Sequence, residues 1–175
     1  MTEKQLRIGM GRRGGWLALV GGIAAFGVLE AVVLHLIVEA VAPRSVVLVV
    51  DVVAGSLTLL FVVAVASPTW SVHRVTAGAL RARFGWLAAA NVPLSAIASV
   101  TPYQPTVRRP AQLGLDFDED TGLLSLIRSP SSPLLRVELT TAVAARTQLL
   151  QRVSARALLL STDDPERLRA ALLPK

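Results

Sequence analysis

Between Trp16 and Ala66 the chain is almost uninterruptedly apolar, in two runs pinched at Pro43. A helix over about residues 16–40 would be roughly 36 Å long at 1.5 Å per residue, and one over 46–67 roughly 32 Å. Each matches a hydrocarbon core of about 30 Å. Few water-soluble folds can hide so much apolar surface on two consecutive helices, so the pattern predicts an antiparallel transmembrane hairpin over 16–67. Trp16 and Trp70 are expected to anchor it at the headgroups, with Pro68 ending the second helix. A cleaved signal peptide is disfavoured, because the first run is too long for one and a second follows at once.

The apolar residues, 53% of the 175, are concentrated in that stretch, and the remainder has the polarity of an ordinary soluble domain. The 1–15 segment, with Lys4, Arg7, Arg12 and Arg13 against Glu3, is expected to be a flexible basic lead-in among headgroups. Basic residues also predominate after position 69, whereas the turn between the runs holds only Arg44. By the positive-inside rule both termini are then cytoplasmic and the Pro43 turn lies outside, giving a multi-pass protein of the plasma membrane. With no cysteine there is no disulfide, thiolate nucleophile or thiolate metal site. Arginine far exceeds lysine, and Ala, Val and Leu dominate, a bias expected of GC-rich bacterial coding.

Helical phase sorts the polar residues of the hairpin. Gly21, Ala24, Val28, Ala31 and His35 on the first helix, and Asp51, Gly55 and Thr58 on the second, form small-residue stripes expected to face one another. His35 and Asp51 are equally distant from Pro43, so an antiparallel register predicts a His35–Asp51 hydrogen bond. Glu39 falls near the outer surface. Glu30 is near the bilayer centre and on a different side of the helix from His35, where an ionised carboxylate costs about 2.5–3.5 kcal/mol. A proton or ion relay through Glu30, His35 and Asp51 is the alternative to polar packing, but two helices alone enclose no wet path. The His35/Glu39 spacing suits a metal, yet lacks a third ligand there.

From Ser71 the apolar period changes to two. Leu80, Ala82 and Phe84 alternate with Arg81 and Arg83; Leu94 to Thr101 reads as another strand; Leu113 to Leu126 reads as a hairpin turning at Asp118–Gly122. Leu135, Val137 and Leu139 continue the pattern, Thr140 to Arg152 is ambiguous, and Ala155 to Ser161 is a last strand. Asp164-Pro165-Glu166 opens a helix with Asp164 as N-cap and Leu168, Ala171 and Leu172 inward. The acidic tip Asp116, Asp118, Glu119, Asp120, Gly122 has no glutamate at the twelfth position of a calcium loop.

The residues Val75 to Gly85, followed by Val92-Pro93-Leu94-Ser95-Ala96-Ile97-Ala98-Ser99-Val100, resemble the opening of bacterial pleckstrin-homology-like domains. Over the two apolar runs and most of 71–173 the chain is similar to small actinobacterial membrane proteins in which such a domain follows a two-helix anchor. The resemblance implies an α+β membrane protein, with the hairpin (16–40, 46–67) followed over 69–175 by a small cytoplasmic barrel closed by a C-terminal helix. It implies no activity. No catalytic set, cofactor cradle or metal cluster is legible: His73 is the only histidine of the soluble part.

The reading is therefore a non-enzymatic membrane-anchored interaction module, an accessory or scaffolding subunit with a protein partner or a second copy of itself in the membrane. Glu30 motivates the partner. The alternative is binding of anionic lipid through Arg74, Arg81 and Arg83, with Arg108, Arg109, Arg128 and Arg136 near them. Nucleic acid is not expected, because no aromatic stripe or recognition helix accompanies the charge.

Overall fold

A computed structural model describes residues 5–106, 110–148 and 150–173. The chain begins with a strand, β1 (Leu6–Gly9), before the helices α1 (Gly14–Val41) and α2 (Arg44–Ala66). A 3-10 turn, Ser67–Trp70, leads into β2 (Val72–Val75), β3 (Ala79–Phe84), β4 (Ala88–Pro93) and β5 (Ile97–Tyr103). Then come β6 (Gly114–Asp118), β7 (Leu123–Ile127), β8 (Leu134–Thr147), β9 (Gln151–Ser161) and α3 (Pro165–Leu172).

The expected helices are present, slightly longer than the apolar runs, and joined by only Ala42 and Pro43. They measure about 42 and 35 Å at 1.5 Å per residue over their 28 and 23 residues. Both are long and apolar enough to cross a membrane, and only 6% of each one's most apolar window is buried. What buries is one narrow stripe where the helices meet. That stripe runs through Trp16, Gly27, Ala31 and His35 on α1 and Val47, Asp51, Thr58 and Val65 on α2. The expected stripes were partly out of phase: Gly21, Val28 and Gly55 are exposed, and the close approach is Gly27, where a Cβ would lie 2.6 Å from Thr58 Cγ2. Steps of three and four from His35 back to Trp16 follow the 3.6-residue turn through Gly27, one residue before Val28.

Within the lead-in, residues 6–13 are not the flexible segment expected from its polarity. β1 pairs antiparallel with β2, Leu6 opposite Val75 and Gly9 opposite Val72, and Ile8 and Met10 enter the main core. The helical hairpin is thus spliced between two neighbouring strands of one sheet. The β domain begins before the helices, not at residue 69, and both ends of the hairpin return to the same place.

The nine strands form one mixed sheet in the order β1-β2-β3-β4-β8-β9-β7-β6, with β5 on the same edge of β8 as β4. β8 is 14 residues long, so its first half can pair with β5 and its second with β4. Its register against β9 shifts between Glu138 and Val143. β9 also runs parallel to β7. Among the described residues β1 and β6 do not pair, so the sheet is open, and with the helices the arrangement is α+β as expected. The ambiguous Thr140 to Arg152 stretch is strand on both sides of a turn, because alanines without strong propensity follow their partners in a sheet. Leu94–Ala96 is a 3-10 turn before β5.

The core gathers Leu80, Phe84, Leu126, Val137, Leu158 and Leu160 with Leu168 and Leu172 of α3, all fully buried. Asp164 caps α3 by accepting from the Arg167 N–H at 3.0 Å.

Candidate functional site

Two polar groupings lie where chemistry or recognition could occur, one at the loop end of the hairpin and one where the helices join the sheet. At the loop end the expected contact is present: His35 Nδ1 lies 2.8 Å from Asp51 Oδ2. His35 Nε2 is 3.7 Å from Glu39 Oε2, one helical turn further. These three side chains, with Arg44 and Val47, line an open cleft. Glu30 lies apart from them, exposed near the middle of α1 and without a hydrogen bond or ion pair among the described residues. Among those residues no group of three His, Cys, Asp or Glu is placed to hold a metal. The cluster therefore ties the two helices together and does not extend to Glu30.

The second grouping was not legible in the sequence. Arg128, at the end of β7, is only 1% exposed. Its guanidinium donates to Pro68 O at 3.2 Å, to Thr69 O at 3.1 Å and to Gly11 O. One side chain thus grips the chain just before α1 and just after α2. Burial lowers its pKa, and the neighbouring Arg13 charge adds to that, while Asp163 opposes it. Beside it His73 is completely buried; its Nε2–H donates to Ser161 O at 3.0 Å, leaving Nδ1 without a partner. Burial pushes the His73 pKa down from 6.5 to about 4. Ser161 Oγ donates to Met10 O at 2.7 Å, the Asp163 N–H to Gly9 O at 3.1 Å and the Arg12 N–H to Ser132 Oγ at 2.8 Å. Residues 9–12 are knitted into the domain on every side.

Trp16 belongs to this junction and not to the headgroup layer where its position suggested it. It is 4% exposed, its Nε1–H donates to Val65 O at 2.9 Å, and its ring meets Phe84 edge-on at 5.1 Å. The indole satisfies a carbonyl near the C-terminus of α2 that has no partner within the helix. Gly85, in the β3–β4 turn, has φ +59° and sits against Ser67 and Pro68 so closely that no side chain fits. Ser71 Oγ accepts from the Gly85 N–H at 2.7 Å and Ser67 Oγ from the Trp86 N–H at 2.8 Å. The hairpin and the sheet therefore meet through a hydrogen-bonded joint.

The arginines sort differently from the expectation. Arg74, Arg81 and Arg83 do lie on one sheet face. Arg128 is not among them, for the reason just given, and Arg136 is held by Glu138 at 2.5 Å. Arg108 and Arg109 lie outside the described residues. Missed were Arg7, opposite Arg74, and Arg146 and Arg152, which oppose each other across β8 and β9. The acidic tip is an Asx turn: Asp118 accepts from the Thr121 hydroxyl at 2.6 Å and the Asp120 N–H at 3.0 Å, and chiefly the Thr121 bond lowers its pKa.

Compared with known proteins, the chain matches no family model, no curated protein and no solved structure.

Proposed function

We propose that this chain is a membrane-anchored interaction module without catalytic activity, an accessory or scaffolding subunit whose helical hairpin docks on a protein partner or a second copy. The observation that carries the reading is the exposure of α1 and α2: 6% burial of their most apolar windows leaves a surface that lipid or protein must cover. Glu30 adds direction. A carboxyl in mid-helix that faces away from the only polar cluster of the hairpin is costly in lipid and inexpensive against a donor on another helix. The basic flanks Arg12, Arg13 and Arg74 support a cytoplasmic sheet domain and an external Pro43 turn.

The pleckstrin-homology-like assignment stays with this proposal. A mixed, largely antiparallel sheet followed by a single C-terminal helix packed into its core favours it; the parallel β7–β9 pair and the strand contributed from before the anchor depart from it. The ion-relay alternative is the weaker one, because Asp51 and Glu39 both engage His35 while Glu30 stands apart.

The test is affinity purification of the full chain from native membranes in mild detergent, beside Glu30→Leu. The proposal expects a discrete companion protein or dimer that Glu30→Leu loses while abundance and unfolding temperature hold. A monomer with an unchanged profile in the variant contradicts it.

A further inference from the structure

We infer that the end of α2 and the adjoining sheet face form a binding site for a single phospholipid with an anionic headgroup. This rests on the reading of α2 as a membrane span. A cleft at that end is lined by Val63 of α2, Trp70, Trp86, Arg74 and Arg83. The tryptophans are 70% and 46% exposed, large aromatics left open at the level where the apolar helix stops. Apolar helix, amphipathic rings and cations thus follow one another over a short distance. An acyl chain along α2, a glycerol backbone between the indoles and a phosphate against two guanidinium groups would meet them in that order.

The cleft does not end at Arg83. That residue also lines a shallow groove with Arg81, Arg146 and Arg152, floored by Ala89, Ala90 and Asn91. Register explains the groove: Arg83 faces Ala89, Ala89 faces Arg146 and Arg146 faces Arg152 across four strands, while Arg7, Arg74 and Arg81 stand in a parallel row. Small residues between the arginines leave a trough. Like charges directly opposite one another on a sheet are destabilising. Among the described residues none of these six arginines has a carboxylate within ion-pair distance. Arg136, by contrast, is paired with Glu138, and Arg128 is buried against three carbonyls. An unneutralised double row beginning at the membrane exit suits an anion that arrives from the membrane, its headgroup extending from Arg74 and Arg83 toward Arg146 and Arg152.

Tryptophan fluorescence reads this site directly, since Trp70 and Trp86 line it and Trp16 is buried. The full chain in neutral detergent micelles is titrated with phosphatidylglycerol carrying brominated acyl chains, and separately with phosphatidylcholine brominated in the same way. Quenching by phosphatidylglycerol is expected at a lower mole fraction, by roughly fivefold for each arginine engaged, since each is worth about 1 kcal/mol at an anionic surface. Arg74→Gln/Arg83→Gln is expected to erase the preference, and Arg156→Gln/Arg167→Gln, which removes the same charge elsewhere, to keep it. Equal quenching by both lipids in the parent protein, or equal loss of preference in both variants, overturns the site. So does displacement of phosphatidylglycerol by inorganic phosphate or by a single-stranded oligonucleotide, which would assign the arginines to a soluble anion or to nucleic acid. Carbonate extraction of native membranes reports separately on the span: release of the chain defeats the membrane reading, and the micelle titration stands on its own.

Discussion

Replacing Arg128 by methionine removes a charged side chain that grips both ends of the hairpin while keeping most of its volume. Three carbonyls, of Gly11, Pro68 and Thr69, lose a charged donor. Hydrogen bonds to charged groups contribute about 1.5–3 kcal/mol each. Against that, burying the guanidinium costs several kcal/mol that methionine does not incur. The difference is a net loss of about 2–4 kcal/mol, a large share of the 5–15 kcal/mol typical of a folded domain. Urea unfolding in detergent should show a lower midpoint with an unchanged slope. Hydrogen exchange should accelerate in residues 9–12 and 67–75, the two segments the guanidinium holds, ahead of β5, β7 and α3. Arg136→Met, which breaks only a half-exposed pair with Glu138, should cost under about 1 kcal/mol. If Arg128→Met matched the parent, or loosened the whole sheet evenly, the idea of a joint gripped at this point would be wrong.

His73 makes the same joint sensitive to acid. Its folded pKa of about 4 lies below the ordinary 6.5, so between those values the unfolded chain binds a proton that the folded one refuses. Stability should fall as pH drops from 6.5 to 4, by about 3 kcal/mol in total, and that slope should flatten in His73→Gln in pH-dependent unfolding of the full chain. In the hairpin, Gly27→Leu should lower the unfolding temperature by forcing α1 from Thr58, at about 1–3 kcal/mol, and Thr58→Gly should restore part of it. A Gly27→Leu protein as stable as its parent would mean that the helices do not meet there.

What could be read from the residues was set by local pattern. The two spans, the His35–Asp51 bond, the turn at Asp118 and the Asp164 cap each depend on neighbours a few residues apart or on a simple register about Pro43. What escaped depends on partners far along the chain. Residues 6–9 alternate too briefly to announce a strand, and their partner β2 lies beyond both helices. Trp16 resembles an interfacial anchor until Phe84 and Val65 close over it. Arg128 has the composition of a surface residue, and only the convergence of Gly11, Pro68 and Thr69 makes it an interior one. Arg146 and Arg152 join the basic face because β8 extends through an alanine-rich stretch whose own propensity is neutral.

A hairpin inserted between two paired strands and crossing a membrane must have both its flanks on one side of it. The chain has no cysteine, which allows single-cysteine variants to be labelled without background. Gln5→Cys, Arg44→Cys and Leu173→Cys, each treated with a membrane-impermeant maleimide in intact cells and again after lysis, test this placement most directly. Only the Arg44→Cys protein should be labelled in intact cells, and all three after lysis. Labelling of Gln5→Cys or Leu173→Cys from the same side as Arg44→Cys would contradict it.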